Sequence, residues 1–129
     1  MRIEHIALWC ADIELLKGFY MKYFGAQPGT RYVNSQKSFQ SYFLSFDDGS
    51  RLELMQMPGI PENENDPVKQ YLGLIHFAVS VGSEQNVIDM TKRFRADGYE
   101  VVSEPRKTGD GYFESCILDP EGNRIEITV

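Results

Sequence analysis

The chain is poor in cysteine, has no long apolar run and carries no excess of positive charge, and each shortage removes a class of protein. Its two cysteines, Cys10 and Cys116, are far apart with no C-x-x-C pair. A disulfide scaffold is therefore not expected, and reduced thiols in a cytoplasmic protein are. The apolar runs last a handful of residues, far short of the roughly 20 that span a bilayer, so no membrane partner is expected. The opening MRIEHIALWC has charge inside its apolar run and no small-residue cleavage pair, unlike a secretory signal. Lysine and arginine number 13 against 19 aspartates and glutamates, a net charge of −6. That leaves no basic footprint for a nucleic-acid backbone. What remains is 129 residues, 42% hydrophobic and 25% charged, the balance of one ordinary globular domain with a core of its own.

The two halves resemble each other in order more than in identity. RIEHIALWC opens the first and GLIHFAVSV the second, each an apolar strand pattern holding one histidine, His5 or His76. A capping residue follows, Asp12 or Ser83, then a helical stretch that ends on Gly25 or Gly98. Each half closes on a turn and a glutamate-bearing strand, DDGSRLELM with Glu53 and DPEGNRIEIT with Glu126. The histidines and the capping residues are each 71 positions apart, and the three later pairs (Gly25/Gly98, Gly49/Gly122, Glu53/Glu126) are 73 apart. One two-residue insertion reconciles all five. Residues 58–70, PGIPENENDPVKQ, are acidic, proline-bearing and aperiodic, as a linker is. The expected organisation is one domain, 1–129, made of module 1–57, linker 58–70 and module 71–129.

Each module reads as βαβββ, an α+β class with a mixed sheet and a helix on one face. The helices are expected over 12–24, with Leu15, Leu16, Phe19, Tyr20 and Tyr23 at helical spacing, and over 83–97, with Val87, Ile88, Thr91 and Phe94. Strands are expected over 30–33, 40–46 and 51–56, then 100–103, 112–118 and 124–129, after an opening strand in each half. Alternation in a strand sends successive side chains to opposite faces. Ile6 and Leu8 then oppose His5, Ala7 and Trp9, and Leu52 and Leu54 oppose Arg51, Glu53 and Met55. In the second half Phe77 and Val79 oppose His76, and Ile125 and Ile127 oppose Glu126. Each strand has an aliphatic face fit for a helix and a titratable residue on the other. Two such sheets cupped together would place His5, Glu53, His76 and Glu126 in one cleft.

Two carboxylates walled by protein repel each other and lose hydration. A divalent cation cancels both charges and uses the imidazole lone pairs. Two histidines and two glutamates form a sulfur-free donor set. It suits nickel, zinc, manganese, cobalt or ferrous iron, and it leaves positions open on a six-coordinate ion, as catalysis requires. Trp9 and Met55, on the same face, are candidates for an apolar substrate wall. Neither cysteine has a basic neighbour in sequence to activate it as a nucleophile. Arg51 and Arg124 are expected at solvated strand ends, with contact to an anionic substrate as the alternative.

The stretches HIALWCADIELLKGFYMKYFG, DGSRLELM, GLIHFAVSV and LDPEGNRIEI resemble the vicinal-oxygen-chelate superfamily over nearly the whole chain. That superfamily holds glyoxalase I, bleomycin-resistance proteins, extradiol dioxygenases and epimerases. The resemblance implies a cupped sheet of two βαβββ modules, the glyoxalase/bleomycin resistance fold, with homodimers common. The order His, Glu, His, Glu is similar to that of bacterial glyoxalase I, a lactoylglutathione lyase of the carbon–sulfur lyase class. It implies a divalent metal, nickel or zinc first, on His5, Glu53, His76 and Glu126. It further implies isomerisation of a 2-oxoaldehyde–thiol adduct through a metal-stabilised enediolate, with Glu126 as base and Glu53 assisting. Where glyoxalase I carries an arginine and an asparagine that hold glutathione, this chain has Trp9 and Met57. The alternatives within the superfamily are a protein that sequesters a small molecule, as bleomycin-resistance members do, and an epimerase.

Overall fold

The local signals at the helix ends act as their chemistry dictates. Asp12 Oδ1 accepts from the backbone amides of Glu14 and Leu15, both at 3.0 Å, and starts α1 (Ile13–Phe24). Gly25 ends it at φ 66, a left-handed turn that a side chain resists. Ser83 Oγ accepts from the Asn86 amide at 3.1 Å and starts α2 (Glu84–Ala96), beyond which Gly98 sits at φ 89. Residues 1–64 and 66–129 of the computed structural model are described, so the linker expected over 58–70 lies partly outside the described residues. The chain divides into two compact units, Met1–Asn63 and Glu64–Val129.

In the first unit β1 (His5–Trp9) runs parallel to β5 (Arg51–Gln56). β4 (Phe39–Ser45) pairs antiparallel with β5, and two short strands, β2 (Gln27–Pro28) and β3 (Tyr32–Asn34), pair with β4. In the second unit β6 (His76–Ser80) runs parallel to β9 (Arg124–Thr128). β8 (Phe113–Leu118) and β7 (Val101–Lys107) follow, each antiparallel to its neighbour, in the order β6-β9-β8-β7. Each unit is thus a mixed sheet with one helix, the α+β class that the sequence implies. α1 packs on β4 and β5, and α2 on β7, β8 and β9. No helix of the described residues is long and apolar enough to cross a membrane.

The helix-facing sides form the cores. Leu16 and Tyr20 of α1 lie buried with Leu44, Leu52 and Leu54, and Val87 and Phe94 of α2 with Ile117, Ile125 and Ile127. A polar pair is set into the second core: Thr91 Oγ1 donates to the Val87 carbonyl at 2.6 Å and lies 2.7 Å from Ser115 Oγ. Three local expectations fail. Leu15, placed by periodicity in the buried stripe, is 49% exposed, and Ile13 is buried. The strand expected over 30–33 forms at Tyr32–Asn34, and a separate short strand, Gln27–Pro28, precedes it, extended by the Gly29 amide donating to Phe43 O at 2.8 Å. The strand expected to stop at residue 103 runs through Pro105 to Lys107. β7 is an edge strand with register shifts on either side of Ser103, where a missing amide is tolerated.

Candidate functional site

Register puts each histidine beside a glutamate on the sheet face away from the helix. Along β1 and β5, His5 stands opposite Arg51 and Ala7 opposite Glu53. Along β6 and β9, His76 stands opposite Arg124 and Ala78 opposite Glu126. The two arrangements repeat position for position. His5 Nε2 lies 3.7 Å from Glu53 Oε2, and His76 Nε2 lies 3.2 Å from Glu126 Oε2. The glutamate side chains are 15% and 21% exposed and the imidazoles 39% and 35%, so each pair reaches solvent without being washed by it.

These separations suit a shared cation. Two donors about 2.1 Å from one ion in adjacent positions lie roughly 3.0–3.4 Å apart. The second pair falls in that range, and the first is wider by an amount that a small side-chain rotation closes. The donor set is borderline and sulfur-free, right for zinc, nickel and their first-row neighbours. The structure therefore brings together His5 with Glu53 and His76 with Glu126, one pair in each unit. Among the described residues no group of three or more His, Cys, Asp or Glu side chains is placed to hold an ion.

The surroundings of the two pairs differ. His5 Nδ1 donates to Glu4 Oε2 at 2.5 Å, and Arg51 Nε donates to Glu4 Oε1 at 2.8 Å. These hydrogen bonds, that from His5 foremost, hold the Glu4 carboxyl below the usual carboxylate range. The Arg51 guanidinium lies 4.1 Å from the centre of the Phe43 ring, and the Phe43 and His5 rings meet edge to face at 5.3 Å. Arg51 is thus a solvated strand end, its side chain 39% exposed, that also bonds Glu4. Arg124 Nη1 donates to the Pro67 carbonyl. Beside Glu126 in register stands Cys116, 3% exposed, whose thiol is pushed up by burial. A thiol so protonated does not serve as a nucleophile.

Trp9 and Met55 are register neighbours on the His5 face, as parity requires. Trp9 is 42% exposed, and its ring meets that of Phe39 edge-on at 6.1 Å, with Tyr32 6.1 Å beyond. Phe39, Phe43 and Tyr32 escape sequence reasoning confined to the histidine and glutamate strands. Parity carried across to β4, where Phe43 faces Glu53, finds Phe43 and Phe39.

The same order of elements and residues recurs in other proteins. Protein YwkD of Bacillus subtilis (strain 168), described as uncharacterized, is 33% identical over 81 residues, 63% of this chain and 62% of that protein's length. A structure described as a possible glyoxalase from Bacillus cereus superposes with a TM-score of 0.69 at 27% identity, covering 100% of this chain and 99% of that one. Glyoxalase I from Zea mays superposes with a TM-score of 0.77 at 19% identity over 98% of this chain, which spans 44% of the maize chain; at that identity the likeness is one of fold. The pattern of the glyoxalase/bleomycin resistance protein/dioxygenase superfamily matches residues 2–127. Repeat, mixed sheets and sequence pattern agree from end to end, and the chain belongs to that superfamily.

Proposed function

We propose that the chain is a metal-dependent, glyoxalase I-like lyase acting on a small 2-oxoaldehyde–thiol adduct. The observation that carries this reading is the duplication: the same histidine–glutamate pair stands at the same strand positions in both units, with nitrogen-to-oxygen separations of 3.7 and 3.2 Å. A lone pair of this kind is an ordinary surface contact. Two copies in matched register supply four donors and the −2 charge that a divalent cation balances. The proposed donors are His5, Glu53, His76 and Glu126, in a chain that acts as a homodimer.

His5, Glu53, His76 and Glu126 would hold a nickel or zinc ion (or manganese, cobalt or ferrous iron), which would supply Lewis-acid charge that stabilises an enediolate. The protein supplies the rest. Glu126 takes the proton at a carboxylate oxygen and returns it to the neighbouring carbon, a general-base role, with Glu53 as the second carboxylate. His5 and His76 would bind the ion through imidazole nitrogen. Trp9 and Met55 form an apolar wall that excludes water from the substrate's non-reacting side. The absence of the arginine and asparagine seen in glyoxalase I, replaced here by Trp9 and Met57, points to a thiol more apolar than glutathione. A reduced, cytoplasmic setting fits both buried thiols.

Metal analysis of the purified protein tests the reading, followed by NMR of proton exchange with methylglyoxal and a panel of thiols. Stoichiometric divalent metal with solvent exchange at the substrate carbon is the expected result. Tight ligand binding by metal-free protein, without exchange, would establish a sequestering protein instead. Exchange with acyl-CoA substrates alone would establish an epimerase.

A further inference from the structure

The two halves match in their histidine–glutamate pairs but not in what stands behind the histidines. Glu4 precedes β1 (its carboxylate 52% exposed) and its two oxygens are divided between two partners. Oε2 accepts from His5 Nδ1 and Oε1 accepts from Arg51 Nε. The Arg51 guanidinium in turn lies over the Phe43 ring, and the Phe43 and His5 rings meet edge to face. The four groups close a ring of contacts around one imidazole. At the corresponding place before His76 stands Ile75, whose side chain offers no acceptor.

We infer that Glu4 is a positioning residue: it fixes the tautomer and the ring plane of His5, so that Nε2 presents its lone pair toward Glu53. This inference rests on the proposed metal-binding role of that pair. The reasoning is chemical. A carboxylate only accepts, so an Nδ1 bonded to Glu4 carries the ring proton and leaves Nε2 free as a donor to a cation. Arg51 keeps Glu4 from swinging into solvent, since both its Nε and its Nη2 address Oε1. The consequence is an unequal site. His5 is oriented before any ion arrives, whereas His76 lacks that carboxylate, and the first-unit pair is the one whose affinity depends on a residue outside the donor set.

Two readouts test this, neither of them turnover. The first is the tautomer of each histidine in metal-free protein labelled with nitrogen-15, measured by long-range proton–nitrogen correlation under mildly alkaline conditions. His5 is expected as the Nδ1–H form in the native chain. In Glu4→Leu it should move toward the Nε2–H form, while the His76 signals stay in place. The second is affinity for zinc or nickel alone, by competition with a chelating dye. Glu4→Leu is expected to weaken it about 10- to 100-fold, the usual cost of losing such a partner. Glu4→Gln, whose amide oxygen still accepts from Nδ1–H, should recover part of the loss. If the native chain binds the ion and Glu4→Leu leaves either the tautomer or the affinity unchanged, Glu4 has no positioning role and the proposed function stands. A native chain that binds no divalent ion overturns the proposed function, and Glu4's role toward an ion goes with it.

Discussion

The hydroxyl pair inside the second unit gives the sharpest test of the packing that supports Glu126. Thr91 on α2 and Ser115 on β8 are 1% and 0% exposed. Thr91 Oγ1 donates to the Val87 carbonyl at 2.6 Å and Ser115 Oγ lies 2.7 Å away, so the Ser115 proton has Thr91 as its acceptor. Thr91→Val keeps the shape and removes that acceptor. A buried hydroxyl left unsatisfied costs about 1–3 kcal/mol, and Ser115 is too buried for water to reach it. Ser115→Ala is milder, because Thr91 keeps its bond to Val87. The loss is one net hydrogen bond, about 0.5–1.5 kcal/mol. The double variant has no orphaned hydroxyl, so it should be more stable than Thr91→Val alone even though it carries one more change. Urea unfolding of the four proteins measures this, provided that the slope with denaturant is unchanged. A Thr91→Val cost within about 0.3 kcal/mol of zero, or a double variant equal to the sum of the singles, would refute the reasoning.

Glu126→Gln keeps the side chain's size but removes its charge and its capacity as a base. It is expected to weaken uptake of zinc or nickel and to lower turnover by about 10²–10⁴-fold. Glu53→Gln should weaken uptake comparably while costing less in turnover; equal turnover losses would show that the two carboxylates share the base role. Cys116, buried and with its thiol pushed up, should react slowly with an aromatic disulfide reagent at pH 8 and quickly once the chain is unfolded. Fast labelling of Cys116 in the native chain would contradict the burial.

The sequence displays what depends on alternation and on repetition, and hides what depends on neighbours across a sheet. Both helices, their caps and the closing strands were legible because the capping side chains and the aliphatic alternation act within a few residues. That His5, Glu53, His76 and Glu126 each lie on the face away from the aliphatic set was legible, because alternation acts within a strand; that they stand as the pairs His5–Glu53 and His76–Glu126 was not, since it depends on the parallel registers of β1 with β5 and β6 with β9. The course of β7 was not legible either. Pro105 argues against a strand until the strand is known to lie at an edge, and that is a property of the assembled sheet. Exposure of Leu15 was hidden for a similar reason, since helical period marks a stripe but not how much of it a sheet covers.

Glu4 shows the limit most clearly. Strict alternation sends it to the face opposite His5, and on that basis it belongs with the aliphatic set. But β1 begins at His5, so the chain at Glu4 is free of the strand's alternation, and its carboxylate can turn back to meet both Nδ1 of the next residue and the arginine across the sheet. Parity identified the residues that face the candidate site because those residues sit within strands. The residue that distinguishes one half from the other sits one position outside, where contact with Arg51 and Phe43 decides its place. A duplicated scaffold keeps the donors equal through its register, and it becomes unequal at the strand ends, where the register no longer applies.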